Sequence, residues 1–276
     1  MTKTLMHLMI VAGMLSSAGA QAIVIDGNLS DWGVQQNKGA AGWIPTANNG
    51  ITPNSNIQFT IEDWDRSTKD GYLDPGYGGQ AYDAEALYAL IEDNTLFIAL
   101  ATGHNPKTGN KGNDYGAGDF AIDFGKNGSY ELGINIKPSW DKFGASGGVY
   151  KNVVWDYGLW NDNSTPGYVK SEHPTSIFSG TKIGDAVLDI SSGKKKYGQW
   201  ADDTHYFYEM SVDLSLLRNA GWTGDAFNIH WTQNCANDSI IVDPPAGVPE
   251  PGTLALLPLG LLGLVALRRR KAASAA

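Results

Sequence analysis

The stretch Glu85–Thr102, EALYALIEDNTLFIALAT, decides the fold. Two almost wholly apolar segments, Glu85–Glu92 and Leu96–Thr102, flank Asp93-Asn94, a pair whose side chains favour tight turns. Segments of this length bounded by a turn predict a central β-hairpin, although composition alone also allows the first to be a short buried helix. Outward from the hairpin, Ile57, Phe59 and Ile61 alternate with Gln58, Thr60 and Glu62. Likewise Tyr130, Leu132, Ile134 and Ile136 alternate with Glu131, Gly133, Asn135 and Lys137. A period of two marks half-buried strands. Further strands are expected at Asp119–Phe124, Val149–Trp155, His205–Leu214 and Ala226–Thr232, separated by Gly, Asn, Asp and Pro. One helix is expected over Asp213–Ala220, with Asp213 as N-cap and Gly221 as its stop. The polar, irregular stretch from Trp160 to Gly180 reads as a long surface loop. Many strands and one short helix predict an all-β protein, an antiparallel β-sandwich, with Trp32, Trp222 and Trp231 inside it.

Both ends lie outside this pattern. Lys3, the apolar run Leu5 to Leu15 and the small residues around Ala20 and Ala22 have the order of a secretory signal peptide, residues 1–22, so the mature chain is expected to begin at Gln21 or Ile23. Residues 23–243 form the expected sandwich domain, and Pro244-Pro245 opens a linker and tail, residues 244–276. The body carries 15 Lys and Arg against 28 Asp and Glu, a net charge of −13. So acidic a surface excludes nucleic acid as a partner and suits hard cations. Cys235 is the only cysteine, so no internal disulfide supports the fold.

The tail has three parts: Pro249-Glu250-Pro251, an apolar run of 15 residues from Thr253 to Leu267, and the basic cluster Arg268, Arg269, Arg270 and Lys271. The run is shorter than the roughly 17–25 residues that span a bilayer. It therefore reads as a hydrophobic sorting helix that tethers the chain briefly, with its basic end cytoplasmic. This arrangement resembles the PEP-CTERM sorting signal of Gram-negative, exopolysaccharide-making bacteria. The resemblance implies export, transient insertion in the inner membrane, and processing near the tripeptide by exosortase. The destination it implies is the outer envelope, the cell surface or the extracellular matrix.

A second likeness begins at Ile25–Trp32 (IDGNLSDW), where Gly27 permits a turn and Trp32 is apolar enough to pack beneath a sheet. This opening, with Gly79–Ala86, Gly118–Phe124 and His230–Ser239, resembles family-9-type carbohydrate-binding modules and the wider DOMON-like, jelly-roll-like sandwiches. The resemblance implies a sandwich and a carbohydrate ligand.

Two candidate sites follow from residue chemistry. Asp119 and Asp123 share one strand face, about 13 Å apart along the strand. Asp83 and Glu85 lie closer, about 7 Å apart at i, i+2, and Gln80 adds a neutral oxygen. Like charges so close need a cation, a base or full solvation, and a calcium ion takes six to eight such oxygens. Gln80, Asp83, Glu85, Asp119 and Asp123 are the expected cation ligands. The acidic loop Asp63–Asp74 departs from an EF-hand at Ser67, Thr68 and Asp74. Trp140, Trp155, Tyr157, Trp160 and Tyr168 lie among Gly, Asn and Asp, and form the expected platform for a sugar ring. Neither a G-x-S-x-G elbow nor an H-E-x-x-H zinc motif is present. The leading expectation is thus a non-catalytic, exopolysaccharide-binding matrix or surface protein assisted by calcium. An adhesive protein that contacts other proteins comes next, and a polysaccharide-acting enzyme third.

Overall fold

The computed structural model describes residues 21–63, 79–108, 115–136, 146–158 and 173–244. Two antiparallel sheets face each other. The first runs in the order β1 (Gln58–Ile61), β2 (Ala84–Glu92), β3 (Thr95–Thr102), β9 (Tyr206–Asp213) and β8 (Val187–Ile190). The second runs β11 (Ser239–Val242), β10 (Phe227–Thr232), β4 (Phe120–Phe124), β5 (Leu132–Ile134), β6 (Gly148–Tyr157) and β7 (Pro174–Asp185). The expected sandwich is therefore present, and so is its central hairpin: β2 and β3 pair from Glu92–Thr95 to Ala84–Thr102 around Asp93, which takes φ 53°. The alternative of a helix over Glu85–Glu92 is overturned by that ladder.

Why the hairpin is apolar on both faces is now clear. Leu87, Ala89, Ile91, Ile98 and Leu100 point between the sheets, against Phe120, Ile122, Ile134, Phe227 and Trp231. Ala86, Tyr88, Leu90, Ala99 and Ala101 point outward, where Ile23, Leu29, Trp32, Val34, Trp43 and Ile57 cover them. The N-terminal segment, which contributes no strand before β1, is thus a third layer. A face closed by that layer cannot be polar, so β2 and β3 lose the alternation of a half-solvated strand.

Glu209 of β9 fastens this layer. Its Oε2 accepts the backbone N–H groups of Asp26 and Gly27 at 3.0 and 2.9 Å, and its Oε1 accepts the Trp32 indole N–H at 2.7 Å. Gly27 stands at φ 71°, and a Cβ there would meet the Ser191 backbone at 3.3 Å. Burial, opposed by the three donors, pushes the Glu209 carboxyl up to about 7. The short IDGNLSDW motif therefore reads as a docking device: a glycine turn and an indole shaped around one carboxylate.

The helix α1 (Leu214–Asn219) lies where its caps predict, with the Asp213 carboxylate accepting the Ser215 N–H at 2.7 Å. Trp32, Trp222 and Trp231 are buried as expected. The expected loop from Trp160 to Gly180 is corrected in part. Its described portion from Pro174 onward belongs to β7, an edge strand rich in Ser, Thr and Gly, with Pro174 at its first residue, where a missing N–H costs no ladder bond. Strands β8 and β11, of four residues each, were not expected either. Around Tyr130–Ile136 burial is nearly continuous, because Tyr130, Tyr150, Trp155 and Ile177 form a second outer cluster over this sheet. Trp155 and Ile177 close on Gly133, where a Cβ would stand within 2.9 Å of either side chain.

Candidate functional site

At the start of β2 the ladder carries a bulge between Ala84 and Ala86. Ala84 packs in the inter-sheet core and Ala86 on the outer face, so Asp83 and Glu85 sit at a change of parity where regular packing is interrupted. Asp83 is fully buried (0 % exposed), and neither of its carboxylate oxygens meets a hydrogen-bond donor. Burial, then the charges of Glu85, Asp238, Glu62 and Asp63, push its carboxyl up to about 11.

Glu85 is held differently. Its Oε1 pairs with His205 Nε2 at 2.7 Å and accepts Gln80 Nε2 at 2.7 Å. Burial opposes its ionisation, but the His205, Asp63 and Gln80 bonds outweigh burial and hold the carboxyl below its usual range. Asp63 moves the other way, pushed up to about 7 by burial and by the hydrogen bond and charge it shares with Glu85. This pair therefore shares one proton, kept on the Asp63 side because His205 stabilises the Glu85 anion. The Gln199 N–H reaches the Asp63 carboxylate at 3.0 Å, and the Ala84 N–H reaches Asp238 Oδ2 at 2.6 Å. Gln80 Oε1, like both Asp83 oxygens, is a buried acceptor with no N–H or hydroxyl donor in place.

Gln80 also faces a cleft of about 470 Å³, lined by Tyr82, Asn105, Thr108, Asp202, Asp203 and Tyr206 among others. The two tyrosines are half-buried and the cleft is open to solvent on one side. Tyr82 is braced from behind: its ring lies edge-on to His104 at 5.8 Å, and its hydroxyl accepts the Tyr115 N–H at 3.3 Å. Fixed aromatic rings among amide, hydroxyl and carboxylate groups give a surface that can stack an apolar face and hydrogen-bond a ring of hydroxyls.

The structure divides the five expected cation ligands. It brings Gln80, Asp83 and Glu85 together and removes Asp119 and Asp123. Asp119 accepts the N–H groups of Ile136 and Ile177 at 2.7 and 2.9 Å, bridging three stretches of chain in the second sheet. Asp123 accepts the N–H groups of Asn127 and Gly128 at 3.0 and 2.7 Å and closes the turn after β4. Backbone N–H groups satisfy both carboxylates where spacing alone suggested an unmet need for charge. Among the described residues, no group of three or more His, Cys, Asp or Glu side chains is arranged to hold a metal ion.

The expected sugar platform fares similarly. Trp155 is 8 % exposed, donates its indole N–H to the Tyr130 carbonyl at 3.0 Å, and packs edge-on to the Tyr130 ring, so neither of its faces is open to a ligand. Tyr157, at the end of β6, is 38 % exposed. Trp140, Trp160 and Tyr168 lie outside the described residues, as do most of the Asp63–Asp74 loop, the signal peptide and the sorting residues Pro249, Glu250, Pro251, Arg268, Arg269 and Arg270. Apart from Gln80, the cleft residues were missed because they come from three segments, around Tyr82, Asn105 and Asp202, that no local spacing joins.

Among the described residues, no helix is long and apolar enough to cross a membrane. No curated protein and no solved structure matches the chain, so the likeness to family-9-type and DOMON-like modules rests on the residues that carry it. The tail does match: residues 247–271 fit the PEP-CTERM protein-sorting motif. The chain thus carries the sorting signal of an exported protein, processed by exosortase and delivered to the cell envelope or surface.

Proposed function

We propose that this protein is a non-catalytic, glycan-binding component of the cell surface or extracellular matrix, and that it binds exopolysaccharide through the cleft beside Gln80. The observation that carries the reading is the lining of that cleft, the braced Tyr82 and the half-buried Tyr206 among Gln80, Asn105, Thr108, Asp202, Asp203 and Thr204. Its volume of about 470 Å³ falls within the 300–1,000 Å³ that small-ligand sites occupy, roughly the size for one or two sugar rings. Export to the envelope or surface supports the reading, because a polysaccharide ligand would be met outside the cell. Calcium assistance belongs to the same reading and is taken up below.

The test is glycan-array binding by the mature protein, with Tyr206→Ala and Asn105→Ala as the cleft variants. Binding that falls at least about tenfold in both variants, the loss of about 1.4 kcal/mol of contact, supports the cleft. Binding unchanged in both removes the cleft from the reading. Release of oligosaccharides from a polysaccharide panel would turn the reading towards an enzyme.

A second reading, an adhesive protein that contacts other proteins, is favoured by one feature at the opposite edge. Phe59 and Ile241, both exposed, flank a groove between β1 and β11 lined by Gln58, Thr60, Val242 and Asp243. Capture of a protein partner lost in Phe59→Ser, with glycan binding absent, would favour it.

A further inference from the structure

We propose that Asp83, Glu85 and Gln80 hold a hard divalent cation, of the calcium class, beneath the Gln80 side of the cleft. This deepens the glycan reading of the same cleft, but it stands on its own observations.

The first observation is chemical. Three buried oxygens, Asp83 Oδ1 and Oδ2 and Gln80 Oε1, have no N–H or hydroxyl donor in place. Buried acceptors are ordinarily satisfied, and an orphaned one costs about 1–3 kcal/mol, more when it is charged. The acidic residues that act on Asp83, namely Glu85, Asp238, Glu62 and Asp63, all disfavour its ionisation. Three other buried carboxylates are satisfied: Asp119 and Asp123 by backbone N–H groups, Glu209 by two backbone N–H groups and an indole. Asp83 is the exception, fully buried with both oxygens bare.

The second observation is geometric. Gln80 belongs to both places: its Nε2 donates to Glu85 and its side chain lines the cleft. The amide N–H, turned to Glu85 Oε1, leaves the amide oxygen as the acceptor for something else. His205 and Gln80 together fix the Glu85 carboxylate, in the way that hydrogen-bonded partners orient a ligand carboxylate around a metal. Two carboxylates and one amide oxygen fall short of the six to eight oxygens around calcium. Water entering through the cleft supplies the rest. A sugar seated there would exchange those waters for its own hydroxyls.

The experiment uses the mature protein stripped with chelator, and calcium chloride alone as the probe, with magnesium chloride for comparison. A ligand bound by the native state alone stabilises it, so calcium is expected to raise the melting temperature and to give a saturable heat in titration calorimetry. Asp83→Asn is expected to fold and to lose the calcium response. Should Asp83→Asn fail to fold, Gln80→Ala serves instead and is expected to weaken calcium binding with the fold kept. No calcium effect on the wild type overturns the proposal, and so does a calcium effect of equal size in the folded variants. Because no glycan enters this measurement, a failed glycan array leaves its result standing, and a failed calcium titration leaves the array's.

Discussion

At the scale of single residues, Glu209 shows how one carboxylate can specify a whole layer. It gathers the Asp26 and Gly27 N–H groups and the Trp32 indole into one contact. At pH 5 the Glu209 carboxyl is protonated, and Glu209→Gln exchanges its O–H for a bulkier NH₂ with the acceptor oxygen kept, so the variant is expected to cost about 1 kcal/mol there. The folded-state carboxyl sits at about 7, above the usual 4.5, so the stability that Glu209 contributes is fully present below 4.5 and is lost as pH rises through about 7. The gap between wild type and variant should thus narrow from pH 5 to pH 8. Denaturant melts at the two values check this, and a widening gap contradicts it. His230, which burial pulls down to about 3, acts with the opposite sign, losing stability as pH falls below 6.5, and cancels in the comparison. Trp32→Ala removes the indole that the same carboxylate holds, and should cost about 3–5 kcal/mol, read from the same melts.

At the scale of elements, the β2–β3 hairpin was legible because its two segments are apolar throughout and an Asp-Asn pair stands between them. What the sequence did not reveal is why both faces are apolar, since the covering layer is an irregular segment without a period. Leu87 and Leu90 sit on opposite faces of β2, one towards the second sheet and the other under the N-terminal layer. Leu90→Ala is accordingly expected to cost as much as Leu87→Ala, about 2–5 kcal/mol each. A much smaller loss at Leu90, measured by chemical denaturation, would mean that the layer is loosely held. Edge strands were the least legible elements. β7 is half-exposed and bulged against β6, so its pattern is neither alternating nor apolar. The candidate sites divide for the same reason. Side-chain spacing located Asp83, Glu85, Asp119 and Asp123, but only the backbone around each carboxylate decides whether N–H groups already satisfy it.

At the scale of the whole molecule, the C-terminal tail carries the address and the body forms the sandwich. Replacing Pro249-Glu250-Pro251 with three alanines is expected to leave the full-length protein in the inner-membrane fraction, where fractionation and immunoblotting would find it. Normal release of that variant would separate the tripeptide from processing. The destination was legible because a sorting signal must be read as a linear peptide. The cleft was not, because it exists only when distant segments meet. One feature of the fold bears on how the two halves work together. The last strand, β11, ends at Val242, is zipped to β10, and is stitched to β1 by the Thr60 hydroxyl on the Ile241 carbonyl at 2.6 Å. Only Asp243 to Val248 separate it from Pro249. Six residues, even fully extended, reach about 20 Å. A finished sandwich would therefore stand almost in contact with the lipid headgroups while tethered. The processing enzyme would have to work in that narrow gap or act before the last strand locks, so linker length sets a clearance that insertions after Asp243 would relax.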